Sequence, residues 1–317
     1  MHFATVFPTN TKTEVSMIYL NALPGTIGQA LIWGIMAIGL FISYKILDFA
    51  DLTVDGSLVT GAGTCAVLIS NDVPVGVAIL VAVVAGMLCG LVTALLHTKM
   101  GIPPIMSGIL TQLALWSVNL KIMGKATISL VGKQLFVARA DIGTSIIILV
   151  AFVTVVIGLL YWFFGTKLGC AIRATGCNEH MARAQGVNTN TTKLLALVIS
   201  NGLVALSGAL LCQYNGSADI NMGRGAIVIG LAAVIIGNVI VSKISSNFAV
   251  QLIGAVVGSI VYYLVYQLVI CLEWDTDLLK LLSAVLVAVF LAAPHFKQKY
   301  TKPKIVLDVD AGGNNNA

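Results

Sequence analysis

Residues 165–193 read Gly165-Thr-Lys-Leu-Gly-Cys-Ala-Ile-Arg-Ala-Thr-Gly-Cys-Asn-Glu-His-Met-Ala-Arg-Ala-Gln-Gly-Val-Asn-Thr-Asn-Thr-Thr-Lys193 and lie between two uncharged apolar runs, Ser145–Phe164 and Leu194–Tyr214. Each run has about the 20 residues that an α-helix needs to cross the hydrocarbon core of a bilayer. The sequence therefore predicts two membrane-spanning helices that hold a short polar connection between them.

The middle of this connection carries the start and stop signals of a short helix, Glu179–Gln185. Asn178 is a typical N-cap residue, and Glu179 then lies in the first turn, where the helix dipole favours an anion. Glu179 and Arg183 are four residues apart in the favourable order for an ion pair on one helix face. Gly186 suits the left-handed conformation that ends a helix.

This helix is too short to be stable alone. At 1.5 Å per residue it is only about 10 Å long, and isolated helices of two turns do not persist in water. Something must hold it in place, and a docking partner is one candidate. Asn188 or Thr189 can cap the membrane-entering helix that follows.

Three patterns around this helix resemble a known transporter family. They are Leu-Gly-x-Ala-Ile-Arg-Ala (168–174), Asn-Glu-x-x-Ala-x-x-x-Gly-Val (178–187) and Lys-Leu-Leu-Ala-Leu-Val-Ile-Ser (193–200). The chain resembles the permease subunits of branched-chain amino-acid-type ABC importers, best over Gly165–Gly237 and collinearly over the rest. In that family this loop is a coupling helix that presses into a cleft on a cytoplasmic ATPase. His180-Met181 stands where many relatives carry two small residues, so we expect the ATPase contact to differ in detail.

The resemblance implies a function and partners. The function is import of a small solute, an amino acid or similar compound, by a membrane-spanning subunit that is not itself an enzyme. The implied partners are a second permease copy in a homodimer, cytoplasmic ABC ATPases and an extracytoplasmic solute-binding protein, with no role for nucleic acid. ATP and Mg would be bound by the ATPase, and no cofactor by this chain. The ATPase-coupling residues are then Asn178, Glu179, His180, Met181, Ala182, Arg183, Ala184, Gln185 and Gly186.

The composition of the chain supports an all-α, polytopic membrane protein. Of its 317 residues, 58% are hydrophobic and only 10% are charged, and its mean hydropathy is +0.97. Soluble domains carry about 25% charged residues. Four of the six cysteines lie in or beside apolar runs, where a thiol behaves as a small hydrophobe. The other two share the polar connection without a histidine at a zinc-type spacing, so we expect no metal site.

Nine apolar runs are candidate spans, and we allow eight to ten transmembrane helices. The runs are Ile27–Tyr44, Val54–Ser70, Val73–Leu96, Ile105–Leu120, Ser145–Phe164, Leu194–Tyr214, Gly225–Val241, Phe248–Leu272 and Leu278–Pro294. Three of them are short: Val54–Ser70, Ile105–Leu120 and Gly225–Val241. Short or broken helices persist at membrane depth only where protein or a water-filled cavity covers their ends, as in a translocation pathway.

Basic residues set the predicted orientation in the cell membrane. The segment 295–304 contains four lysines and residues 165–193 contain four basic residues against Glu179 alone, so both are predicted to be cytoplasmic. Four spans separate them, an even number, and the two assignments agree. The loop Lys121–Gly143 also carries four basic residues, yet alternation places it outside. Either the rule fails there or Ile105–Leu120 does not cross.

The chain divides into three regions. Residues 1–26 are a polar N-terminal segment without the features of a cleaved signal peptide. Residues 27–294 form the transmembrane permease domain, with the coupling loop at 165–193. Residues 295–317 are a basic cytoplasmic tail whose Gly-Gly-Asn-Asn-Asn-Ala end is predicted to be disordered.

A second polar stretch lies between the first two spans and contains Asp48, Asp51, Thr53 and Asp55. An aspartate at membrane depth is costly and usually marks a pathway or a paired site, so these four are candidate substrate-pathway residues. On a helix Asp51 and Asp55 would share a face. Asp51 or Thr53 could instead cap the helix that starts near Val54, or the stretch could be a loop in water.

Within this stretch, Asp-Leu-Thr-x-Asp-Gly (51–56) looks like a subgroup of the resembled family linked to aromatic or other small amino-acid-like solutes. Other relatives carry an Asn-Phe-Ala-x-Gly-type version near this position, from which this chain departs at Asp48-Phe49-Ala50-Asp51. Polar residues within later runs, such as Gln112, Asn119 and Asn201, are expected to hydrogen-bond neighbouring helices.

The sequence leaves two rival functions open. No phosphate-binding loop is present and the four histidines are scattered, so the chain should not hydrolyse ATP itself. An ion-coupled secondary transporter or channel would need ionisable groups within the membrane, and the aspartate stretch could supply them. A membrane scaffold or sensor without transport is the second rival.

Overall fold

The computed structural model describes residues 11–139, 141–241 and 247–271, together with positions 285 and 288. This part of the chain contains ten α-helices, one π-helical segment and two three-residue strands. The helices are α1 (Thr11–Leu40), α2 (Val54–Ser70), α3 (Val75–Thr98), α4 (Pro104–Met123), α5 (Ile142–Phe164), α6 (Lys167–Cys177), α7 (Glu179–Ala184), α8 (Thr189–Asn215), α9 (Ala226–Val241) and α10 (Phe248–Cys271). The π-helical segment, Phe41–Ile46, continues α1, and the strands are β1 (Thr127–Ser129) and β2 (Ser217–Asp219).

The all-α polytopic fold is confirmed. Six of the described helices are long and apolar enough to cross a membrane, and α2 and α9 are shorter apolar helices. Eight of the nine predicted spans coincide with helices, but Ile105–Leu120 is not short, because α4 has 20 residues. The ninth span, Leu278–Pro294, and the tail 295–317 lie outside the described residues apart from positions 285 and 288. Helix α1 begins at Thr11, so the described part of segment 1–26 is continuous with the first span.

Helix α8 is the centre of the bundle and packs against α1, α2 and α3. Helix α5, by contrast, buries only one stripe, whose members recur every three to four residues, the helical period. Its other faces expose large apolar side chains, such as Ile147, Leu159 and Trp162. A helix with so much exposed apolar surface is suited to contact with lipid.

Small residues allow the helices around α8 to approach closely. A Cβ added at Gly86 or Gly90 of α3 would overlap the backbone of α8, and a Cβ at Gly258 of α10 would overlap that of α9. Gly86, Gly90 and Gly258 therefore serve close contacts between helices of the same chain.

The bundle has two distinct ends. We call α6 and α7 the lever, and the end that carries them the lever end. The π-helical segment and the start of α8 lie there, since Gly176 of α6 packs against the backbone of Ile46 and α8 follows α7 directly. At the opposite end β1 pairs antiparallel with β2, with Ile128 opposite Ala218.

Helix α4 runs from one end of the bundle to the other. Just before it, Ile102 O lies 2.8 Å from His97 Nδ1 at the lever end, and just after it β1 pairs with β2 at the opposite end. The alternative that Ile105–Leu120 does not cross is therefore disfavoured, since α4 is also long and apolar enough to be a candidate span. If the lever end is cytoplasmic, the basic loop Lys121–Gly143 lies outside and the positive-inside rule fails locally.

Helices α2 and α9 both begin inside the bundle. At the start of α2, Thr53 Oγ1 lies 2.7 Å from Thr93 Oγ1, which is five residues before the end of α3, or about 7 Å along the helix axis. The first turn of α9 contacts Asp55 in the first turn of α2. The two short helices thus start where neighbouring protein covers their ends, as helices broken at membrane depth require.

Candidate functional site

The lever consists of two helices rather than the single short helix that the sequence predicted. Helix α6 was missed because its two glycines, Gly169 and Gly176, lower its helix propensity. The signal that could have found it is the spacing of its buried residues Gly169, Ile172 and Thr175, three apart on one face. Thr166 caps α6 and accepts a hydrogen bond from the Gly169 N–H.

The predicted start and stop signals of α7 are confirmed. The side chain of Asn178 accepts a hydrogen bond from the Met181 N–H at 3.0 Å, and Gly186 adopts a left-handed conformation with φ of +82°. Asn188 rather than Thr189 caps α8, accepting from the Thr191 N–H at 3.3 Å. Local sequence therefore defines the ends of α7.

Helix α7 is braced by the chain itself. Glu179 accepts a hydrogen bond from Arg183 at 2.7 Å and one from Lys193 of α8 at 2.8 Å. The Arg183 Nε also donates to the Thr189 hydroxyl at 2.8 Å, and Ala182 is buried. These contacts position a helix that would be unstable alone, so a docking partner is not needed to hold it.

The charges around Glu179 shift its titration. The hydrogen bond from Lys193 lowers the pKa of the Glu179 carboxyl below its ordinary value, which outweighs the opposite effect of partial burial. Glu179 is therefore ionised at neutral pH and keeps both ion pairs. The outer face of α7 remains open, with His180, Met181, Ala184 and Gln185 exposed.

The lever also contacts the bundle through α6. Besides Gly176 against Ile46, the hydroxyls of Thr175 and Thr192 of α8 lie 2.9 Å apart. The guanidinium of Arg173 lies 5.7 Å from the centre of the Phe248 ring, within the range of a cation–π interaction. Movement of the lever would therefore disturb its contacts with the π-helical continuation of α1, with α8 and with α10.

The aspartate stretch does not behave as one unit. Asp48 is exposed and has a left-handed φ of 56°. Asp51 is 1% exposed and accepts hydrogen bonds from the Thr53 N–H at 2.9 Å and from the Asn201 amide at 2.6 Å. Asp51 thus secures the chain just before α2 rather than lying in water, and Thr53 makes no side-chain cap on α2.

Asp55 has a different environment from Asp51, so the two carboxylates do not form a pair. Its Oδ1 accepts from the Ile227 N–H at 2.9 Å, and its Oδ2 accepts from the Gly225 N–H at 3.2 Å. The Gln112 amide of α4 lies 3.5 Å from the same Oδ2. The start of α9 therefore points its free N–H groups at this carboxylate, as helix N-termini do with anions.

A cavity of about 300 Å³ opens beside Asp55. Asp55, Gln112, Asn119 and Arg224 supply its polar lining. The Asn119 amide is committed to α2, donating to the Gly56 carbonyl at 3.1 Å and accepting from the Thr60 hydroxyl. Sequence reasoning named Asp55 but not Arg224, whose position depends on the segment before α9 folding back onto α2.

Taken together, the helices, the braced lever and the polar cavity within the bundle define an integral membrane protein of the transport class. The chain belongs to the family described as branched-chain amino acid transport system / permease component, whose sequence model matches residues 23–293. The resemblance noted from the coupling-loop motifs is confirmed. The chain is thus a multi-pass membrane permease component of ABC transport systems, a family of transport components rather than enzymes.

Individual relatives differ in what they transport. The chain is 38% identical over 290 residues to a tyrosine transport system permease protein of Clostridioides difficile (strain R20291), covering 90% of this chain and 97% of that protein. It is 28% identical over 198 residues to an autoinducer 2 import system permease protein of Escherichia coli (strain K12 / DH10B), covering 59% and 56%. It is 24% identical over 251 residues to a ribose import permease protein of Escherichia coli (strain K12), covering 75% of each. No solved structure matches the chain.

Proposed function

We propose that the chain imports an amino acid or a similar small solute into the cell, using ATP that a separate ATPase subunit hydrolyses. It lies in the plasma membrane with the lever and the C-terminus in the cytoplasm. An amino acid is favoured over a sugar because the similarity to the tyrosine permease is higher and covers more of the chain than the similarity to the ribose permease.

The observation that carries this proposal is the lever. Its inner side is fixed to the bundle through Glu179 and Ala182, while the outer side exposes His180 and Met181, the latter to 60%. A flexible, exposed methionine on a rigid short helix is suited to insertion into a cleft of another protein. The residues 178–186 would form this contact with the ATPase.

The lever converts the nucleotide cycle of the partner into movement of the permease. ATP binding closes the ATPase pair. Helix α7 then moves with the ATPase cleft in which it is bound, and the bundle changes between outward- and inward-open states. Such coupling requires that the ATPase contact the two states differently. A second copy of this chain completes the pathway, and a solute-binding protein delivers the solute from outside.

The test is a pair of glycine substitutions in the complex reconstituted with its ATPase and binding protein. Gly186→Val forces a β-branched residue into a left-handed conformation at the end of α7, so uptake should fall while ATP hydrolysis continues. Gly132→Val introduces the same strain at φ of +82° at the opposite end and should leave the ratio of uptake to hydrolysis unchanged. Reversing the charges of Glu179 and Arg183 together should also uncouple the two activities. Normal transport by these lever variants would contradict the proposal.

The rival function, ion-coupled secondary transport, is favoured by one observation. Within the described residues, neither Asp51 nor Asp55 forms an ion pair with a basic side chain. Uptake that survives ATP depletion and collapses with the ion gradient would establish the rival and refute ATP-driven import.

A further inference from the structure

We infer that the cavity beside Asp55 is a binding site for a zwitterionic amino acid with an apolar or aromatic side chain. The inference rests on the proposed transport function and assigns to that pathway a solute class and the residues that recognise it. It moves the site away from Asp48, Asp51 and Thr53, of which Asp51 and Thr53 are buried and bonded within the protein, and towards Arg224.

The cavity presents charges of both signs that do not neutralise each other. Asp55 and Arg224 line the same space, but they form no ion pair with each other. Among the described residues the Arg224 guanidinium makes no hydrogen bond or ion pair, although the Arg224 backbone N–H bonds to Asn221. A ligand with an ammonium and a carboxylate group would satisfy both side chains at once.

Asp55 is prepared to receive a cation. The N–H groups of Gly225 and Ile227 fix the carboxylate in place, and their dipoles favour its negative charge without supplying a full positive charge. An ionised carboxylate offers about four acceptor positions, and the bond to Gln112 is long at 3.5 Å. Asp55 therefore retains acceptor capacity towards the cavity.

The remaining lining of the cavity is apolar. Val59, Leu113, Trp116 and Ile220 also line the cavity, and Trp116 supplies an aromatic ring with which an aromatic side chain can pack. The volume of about 300 Å³ is at the lower end of the range of ligand pockets, roughly 300–1,000 Å³. A neutral sugar would gain no charge-assisted hydrogen bond from either Asp55 or Arg224, so it should bind more weakly than a zwitterion.

The inference is tested by equilibrium binding of radiolabelled L-tyrosine to the full chain in lipid nanodiscs. Unlabelled competitors isolate each charge: tyramine lacks the carboxylate, 3-(4-hydroxyphenyl)propionate lacks the ammonium, and ribose lacks both. We expect each single-charge analogue to compete at least about tenfold less well than tyrosine, since a charge-assisted hydrogen bond is lost in each case, and ribose not to compete.

Arg224→Met should remove the preference for tyrosine over tyramine without disturbing the fold, because the guanidinium has no partner within the described part of the chain. Lys121→Met is the matched control: Lys121 is also an exposed cation, but it lies on α4 outside the cavity lining, so this variant should bind as the wild type does. Asp55→Asn should instead remove the preference for tyrosine over 3-(4-hydroxyphenyl)propionate.

Two outcomes would overturn the inference: ribose competing as well as tyrosine, or Arg224→Met behaving like Lys121→Met. If binding were absent while ATP-dependent tyrosine uptake continued, the inference would fail and the proposed import function would stand. Binding as described without any ATP-dependent uptake would refute the import function and leave the binding site established.

Discussion

Replacing Glu179 with glutamine removes one negative charge from the point where α7 is braced against α8. Glu179 is 31% exposed and its partner Lys193 only 16% exposed, with the two charged groups 2.8 Å apart. An exposed ion pair contributes about 0.2–1 kcal/mol and a hydrogen bond to a charged group about 1.5–3 kcal/mol. The contribution of the half-buried Glu179–Lys193 contact should lie between these two ranges, near ~1 kcal/mol. The ion pair with Arg183 on the same helix should add about 0.4 kcal/mol.

A loss of roughly 1–1.5 kcal/mol changes the ratio of braced to released lever about five- to twelvefold. The assay is solute uptake per ATP hydrolysed by the reconstituted complex, which E179Q should lower several-fold while basal hydrolysis persists. Lys193→Met should have a similar effect, and the double variant should be little worse than either single one, because all three remove the same contact.

Asp219→Asn is the matched control, since Asp219 is also a hydrogen-bonded carboxylate, bonded to Thr127 at 2.6 Å, but lies at the opposite end of the bundle. It should leave uptake per ATP unchanged. The reasoning is refuted if E179Q retains the wild-type ratio, or if E179Q and Lys193→Met are fully additive.

Three further predictions follow from the described contacts. Because the pKa of Glu179 is lowered, its ion pairs are complete above the ordinary glutamate pKa and are lost only as the pH falls through the lowered value. Uptake per ATP of the wild type relative to E179Q should therefore be constant from about pH 6 to about pH 8. A change of this ratio within that window would contradict the ion pair. Cys170 and Cys177 are exposed on α6 whereas the other four cysteines are buried, so a membrane-impermeant maleimide should label the native chain in inside-out vesicles and not in intact cells; the reverse pattern would place the lever outside. Gly90→Ala should lower the free energy of unfolding in detergent by about 1–3 kcal/mol through overpacking. Gly158→Ala, with nothing within 4 Å of the added Cβ, should leave it unchanged.

Features set by local sequence could be predicted, because they depend on neighbouring residues alone. The apolar runs predicted the candidate spans. The ends of α7 were predicted from the N-cap residue Asn178 and from Gly186, which adopts the left-handed conformation. Helix α6 was missed because its glycines serve close contact with the bundle, a tertiary effect that overrides propensity.

The surroundings of the cavity could not be predicted for the same physical reason. Asp55 and Ile227 are 172 residues apart in sequence, and Asp51 and Asn201 are 150 apart. The spacing of the aspartates suggested a shared helical face, but Asp51 precedes α2 and points to α8. Arg224 reaches the cavity only because the segment before α9 folds back onto α2. No local sequence pattern encodes that arrangement.

The lever and the cavity are joined by one short stretch of chain, residues 46–55. At its start Ile46 is in direct contact with Gly176 of α6, with no room for a Cβ between them. Within it the Phe49 ring lies 5.2 Å from the ring of His97, which is itself 3.5 Å from the Lys193 ammonium that braces α7. At its end Asp55 forms part of the cavity lining.

Close-packed contacts of this kind shift between discrete arrangements and do not deform continuously. A displacement of α6 must therefore either break its contact with Ile46 or carry residues 46–55 with it. Carrying them moves the Asp55 carboxylate relative to the Gly225 and Ile227 N–H groups that now hold it. We therefore expect residues 46–55 to be one direct route by which movement of the lever reaches the cavity, beside the contacts of the lever with α8 and α10.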